Sequence, residues 1–165
     1  MTDRKLVLLR HAKAAHPEHN ADMERALTPR GQADAEAAGR WLANERVVPD
    51  IVLCSPARRA RETWHALAST LGAEASHTTV LYEPGIYTAV IGEELLPLIS
   101  STQPEATTLV VIGHNPPLSM LSALLDPTLD EGLQTCGIAV HRVNGGWHDL
   151  TPGNAPLTDL HTARA

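Results

Sequence analysis

"LVLLRHAKA", residues 6–14, decides how the chain is read. Leu6 to Leu9 form an unbroken apolar run rather than an alternating one, which predicts a short strand buried on both faces. The run leads straight into Arg10 and His11. A cation and an imidazole side by side at the end of such a strand are expected to meet a phosphate.

The pattern repeats outward from there. Residues 12–27 are polar and irregular and predict a loop. In "LTPRGQADAEAAGRWLANE", Thr28 is a candidate N-cap and Pro29 occupies the first helical position, with Ala33, Ala37, Trp41 and Leu42 at helical spacing. "DIVLCSP" (50–56) predicts a second strand, "ARRARETWHALASTLGA" (57–73) a helix ending near Gly72, and "HTTVLYEPG" (77–85) a short strand. "GEELLPLIS" (92–100) predicts a helix with Pro97 in its first turn or at a kink. "TTLVVIGHNP" (107–116) predicts a strand and "PLSMLSALLD" (117–126) a helix. "CGIAVHRVNGGWHDLTPG" (136–153) predicts a hairpin turning at Asn144-Gly145-Gly146, and no strong pattern follows Asn154. Strands alternating with helices imply an α/β fold: a single domain over 1–165, a three-layer sandwich with a mostly parallel central sheet and helices on both faces. Ligands of such sheets bind beyond the carboxyl ends of the strands. Arg10-His11, Ser55 to Arg59, Glu83 and Gly113-His114-Asn115 all follow strands, so they are expected to share one rim.

Composition narrows the function. The 43% hydrophobic content fits a folded chain, and thirteen basic against nineteen acidic side chains give a net charge of −6, which argues against a general nucleic-acid surface. Cys54 and Cys136 have neither metal nor redox spacing and are expected to be buried thiols. "MTDRK" leads at once into a strand, so no signal peptide is expected, and no apolar run approaches the roughly 20 residues of a membrane span. A cytoplasmic protein without membrane or nucleic-acid partners is expected, and a monomer is compatible with the composition.

Two histidines at strand ends with arginines between them suit a phosphoryl group. Planar guanidinium groups grip its oxygens in pairs. A neutral imidazole can attack phosphorus, and neighbouring arginines oppose its protonation. At this point the chain resembles the histidine phosphatase, or phosphoglycerate-mutase-like, superfamily. "RHA" at 10–12 stands where the family has Arg-His-Gly, with Ala12 in place of glycine. "LTPRGQADAEAAGRWL", "CSPARRARET" and "VVIGHNP" match later family segments in order. The match covers roughly residues 5–120. The short length and Asp22-x-x-Arg25-x-Leu27-Thr28 are similar to the SixA-like phosphohistidine phosphatase branch.

The resemblance implies a metal-independent hydrolase without cofactor, with His11 as nucleophile and a phosphohistidine intermediate. It implies that Arg10 and Arg59 hold the phosphoryl oxygens, Arg25 assists, His114 contacts the phosphoryl group and Thr63 supports. For the general acid it leaves two candidates, Glu83 and Asp22. It implies a phosphohistidine protein as substrate, or a phosphorylated small molecule as the alternative. Ala12 is expected to narrow the approach beside His11. A non-catalytic phosphate-binding module would not need both histidines. His16 and His19, three apart, lack the further ligands of a metal site and are expected to be solvated, like Lys13, Arg58 and Arg61.

Overall fold

The computed structural model describes residues 3–127 and 132–165. The strands are β1 (Asp3–Arg10), β2 (Ile51–Cys54), β3 (Thr79–Tyr82), β4 (Thr108–Gly113), β5 (Gly137–Asn144) and β6 (Leu157–Thr162). The helices are α1 (Pro29–Asn44), α2 (Arg58–Leu71), α3 (Pro84–Thr88), α4 (Leu96–Ser100) and α5 (Pro117–Leu125), joined by short 3₁₀ turns. The six strands form one sheet in the order β3-β2-β4-β1-β5-β6. The first four run parallel; β5 is antiparallel to both β1 and β6.

Alternation along each strand divides the core in two. Val7, Leu9, Val52, Val110 and Ile112 meet α1 and α2 on one face. Leu6, Leu8, Leu53, Leu109 and Val111 meet α3, α4 and α5 on the other. This is why the central strands read as unbroken apolar runs: each of their faces has a layer of helices over it. Among the described residues no helix is long and apolar enough to cross a membrane.

The expected elements are found at β1 to β4 and at α1, α2 and α5, but β1 is longer than the run Leu6–Leu9, beginning at Asp3. The Thr28 hydroxyl accepts the Gly31 N–H at 3.0 Å, and Gly72 closes α2 with a φ of 89°. Pro97 stands in the first turn of α4, where its missing N–H costs nothing.

The expected hairpin over 136–153 is corrected. Gly145 does turn the chain, with a φ of 103°, but no strand returns from it. Instead Trp147 is drawn beneath the sheet, buried in the α3–α5 core, and its indole N–H donates to the Ala106 carbonyl at 3.0 Å. The antiparallel partner of β5 is β6, within the segment that shows no strong pattern. As an edge strand β6 is half exposed, so Leu157-Thr-Asp-Leu-His-Thr carries little apolar signal.

Helices α1 and α2 approach closely at Gly39. A Cβ there would lie 1.9 Å from Thr70 Oγ1 and 2.2 Å from the Leu67 carbonyl oxygen. Gly39→Ala is expected to destabilise the fold by about 2–3 kcal/mol through overpacking. The urea midpoint checks this; an unchanged midpoint would contradict such close packing.

Candidate active site

Register builds the site. Arg10 pairs with Gly113, and Cys54 pairs with Ile112. The next residues on β1 and β4, His11 and His114, therefore emerge at one level, and Ser55 follows β2 alongside, level with Gly113. The His11 and His114 ring centroids are 5.2 Å apart. The His11 backbone N–H donates to the Gly113 carbonyl at 3.0 Å, tying the two strand ends together.

His11 is nearly buried, and its Nδ1 lies 2.7 Å from the Ala12 carbonyl oxygen. A carbonyl only accepts, so Nδ1 carries the proton and Nε2 keeps its lone pair. Thr63 secures this turn: its hydroxyl accepts the Ala12 N–H at 3.0 Å and donates to the Arg59 carbonyl at 2.7 Å. Ala12 is fully buried in the α1–α2 core, so its methyl does not narrow the pocket as expected. His114 is fixed by a 2.7 Å bond between Nε2 and Ser55 Oγ. The His114 Nδ1, Arg10 Nε and Arg59 Nε atoms are all buried with no hydrogen-bond partner among the described residues.

Burial pushes the His11 imidazole down to about 3; the charges of His114, Arg59 and Arg10 act in the same direction, and the Ala12 hydrogen bond opposes them. Burial, then Arg59, pushes His114 down to about 4. Both rings are neutral at pH 7. In the unfolded chain each would take up its proton near pH 6.5. Below that pH the unfolded state binds more protons, so stability falls as pH falls toward 4. The loss is up to about 1.4 kcal/mol per pH unit for each ring. Urea midpoints at pH 7, 6 and 5 should decline in that order; a flat series would mean that the rings charge freely in the folded state.

His11, His114, Arg10, Arg25 and Arg59 line one cavity of about 630 Å³. Arg59 is buried; its Nη1 donates to the Asp22 carbonyl oxygen at 2.8 Å and its Nη2 to Asp22 Oδ2 at 3.1 Å. Arg25 donates to Asp22 Oδ1 at 3.0 Å, to the Ala15 carbonyl at 2.8 Å and to His16 Nε2 at 3.1 Å.

Neither candidate acid is placed to donate a proton. Glu83 follows β3, one strand further out than Ser55, and shares the face of Thr79 and Leu81. All three line a separate groove beside α4. Asp22 is close to the site but ionised. The Tyr87 hydroxyl, donating at 2.8 Å, then Arg25 and Arg59, hold its carboxyl well below the usual carboxylate range. Its geometry is that of a brace for two arginines.

Several lining residues escape sequence reasoning. Lys13 and His16, expected to be solvated, line the cavity, as do Arg30, Asp34, Thr135 and Arg164. Tyr87 meets the His114 ring edge-on at 5.7 Å. Arg164 comes from beyond β6, where no local pattern points to a site. His19 is exposed, and the described residues contain no group of three metal-ligating side chains. Arg58 is an exposed partner of Glu62 at 3.1 Å, and both cysteines are buried and unpaired, as expected.

Two neutral imidazoles ringed by guanidinium groups at the carboxyl ends of parallel strands define a phosphoryl-handling α/β protein. The chain belongs to the histidine phosphatase superfamily (branch 1), whose family model matches residues 6–88. It is SixA-like: a candidate phosphohistidine phosphatase SixA from Nakamurella multipartitia superposes with a TM-score of 0.81 at 30% identity, covering 100% of this chain and 99% of that one. A second, from Agrobacterium tumefaciens, has a TM-score of 0.79 at 28% identity, covering 96% and 97%. An uncharacterised protein of Mycobacterium tuberculosis is 40% identical over 167 residues, covering 94% of this chain and 100% of the relative. The chain is a hydrolase of the phosphatase class.

Proposed function

We propose that the chain is a SixA-like protein phosphohistidine phosphatase, acting through a covalent phosphohistidine on His11. The observation that carries this reading is that, among the described residues, no carboxylic acid is placed beside His11 to donate a proton; the one carboxylate lining the pocket, Asp34, faces Arg30 and Arg164. Glu83 lies in another groove and Asp22 is ionised. An alkoxide leaving group needs a proton from such an acid. A phosphorylated imidazole, protonated on its second nitrogen, departs neutral without one.

His11 Nε2 attacks phosphorus. An N–P bond forms as the N–P bond to the substrate imidazole breaks. Arg10 and Arg59 hold the equatorial oxygens, Arg25 braces Asp22 against Arg59, and His114, held by Ser55, sets its neutral ring beside the His11 imidazole. Water then attacks phosphorus, the bond to His11 breaks, and orthophosphate leaves with the imidazole restored. Guanidinium groups supply the charge neutralisation that a metal supplies elsewhere. The substrate class is supported by likeness to the two SixA structures.

The test compares phosphate release, in EDTA, from a phosphohistidine-bearing signalling domain and from phosphoserine. We expect kcat/KM to favour the phosphohistidine by about 10²-fold or more, the worth of a general acid. Equal or faster turnover of phosphoserine would sink the assignment.

A further inference from the structure

We infer that the pocket contains a second anion-binding subsite, formed by Lys13, Arg30 and Arg164, which receives a carboxylate or phosphate carried by the phosphorylated substrate away from the group being transferred. The inference rests on reading His11 as the phosphoryl acceptor.

All three residues line the same cavity as His11, and its volume of about 630 Å³ suits a whole small ligand rather than one phosphoryl group. They come from three separate places: the loop after β1, the first turn of α1 and the segment after β6. Backbone packing brings them together. A Cβ on Gly31 would lie 2.1 Å from the Lys13 carbonyl oxygen, and Thr28 N–H donates to that oxygen at 3.0 Å, so the loop lies against the start of α1. Arg164 is held in place, with Nη1 donating to the Thr135 and Ala163 carbonyls at 2.9 and 2.8 Å.

The charges do not cancel. Asp34 is the one carboxylate lining the cavity among the described residues. It is buried, accepts the Ala165 N–H at 2.9 Å, and stands 3.6 Å from both Arg30 and Arg164. Lys13 has no polar partner for its ammonium among the described residues, and the Arg30 guanidinium has only the long contact to Asp34. Among the described residues, three cations facing one carboxylate leave an excess of two positive charges, in a chain whose net charge is −6. All three are exposed, and they line a cavity that also holds Arg10 and Arg59. A second anion on the substrate would meet donors that the phosphoryl group does not use.

The test uses alkylphosphonates, which carry a phosphoryl mimic that cannot be hydrolysed. Compounds of two to five carbons ending in a carboxylate are compared with methyl-ended twins of the same length by calorimetry on the whole chain. At the best length the carboxylate should tighten binding to wild type by about tenfold, and the ratio should fall to about two in Lys13→Gln/Arg30→Gln. Arg30 is exposed, so that variant is expected to fold; Arg164→Gln, checked by melting, is the second variant. No carboxylate advantage at any length, or one unchanged in both variants, would overturn the subsite alone. Failure of the methyl-ended compounds to bind at all would overturn the phosphoryl-site reading beneath it. KM for a phosphohistidine domain and for small phosphorylated carboxylic acids then separates the sources. A rise in the double variant on the first assigns the second anion to an acidic side chain of the protein substrate, and a rise on the second assigns it to the small molecule. A rise on neither overturns the role in substrate recognition.

Discussion

His11→Ala should lower kcat by about four orders of magnitude or more, because a nucleophile acts as a unit with the groups arranged around it. Its Nδ1 is committed to the Ala12 carbonyl at 2.7 Å, which leaves Nε2 as the attacking atom. His114 cannot substitute: its Nε2 is bonded to Ser55 Oγ at 2.7 Å and its Nδ1 is buried. The check has two parts. Steady-state phosphate release should vanish in the variant. An acid-labile, base-stable phosphoryl label should appear on wild type quenched during turnover and be absent from the variant. Retained turnover would remove His11 as the nucleophile. The fold should tolerate the change, because exchanging a nearly buried, neutral imidazole for a methyl removes no charge.

Arg59→Ala should lower kcat/KM by about 10²–10³-fold, the usual cost of removing a preorganised donor to developing charge. Arg59 is 6% exposed and braced by Asp22 at two points, so its guanidinium is fixed before any phosphoryl group arrives. Arg59→Lys keeps the charge but loses the planar fork, and should recover activity only in part. Arg58→Ala, one residue earlier, removes an exposed partner of Glu62 and should change kcat/KM by no more than about twofold. Equal losses for Arg58 and Arg59 would mean that α2 contributes only general positive charge. Because Asp22 would lose one of its cations in Arg59→Ala, its carboxyl should titrate at higher pH in the variant, a shift that NMR would read.

The catalytic rim was legible because strand ends are written locally. Apolar runs that stop at Arg10-His11, Ser55 and Gly113-His114 mark where buried strands meet polar chemistry, and parallel register then aligns them. Glu83 carried the same local mark and misled: it too ends a strand, but β3 is the outer strand and the side chain follows the Thr79–Leu81 face into another groove. Asp22 was found by its spacing to Arg25, while its ionised state came from Tyr87, 65 positions away, and from Arg59. The hairpin over 136–153 failed because a turn at Gly145 specifies a change of direction, not a partner.

By itself, the sequence determined the layered α/β architecture, the two histidines and the arginines that face them. Each depends on short-range periodicity or on residues adjacent to a strand end. Only the tertiary structure decided which carboxylates reach the site, which of them is charged, and that Arg30 and Arg164 converge beside Lys13 on Asp34. Those properties belong to pairs of groups far apart in the chain. Their energies depend on distance and burial, which exist only once the sheet has brought the strand ends together.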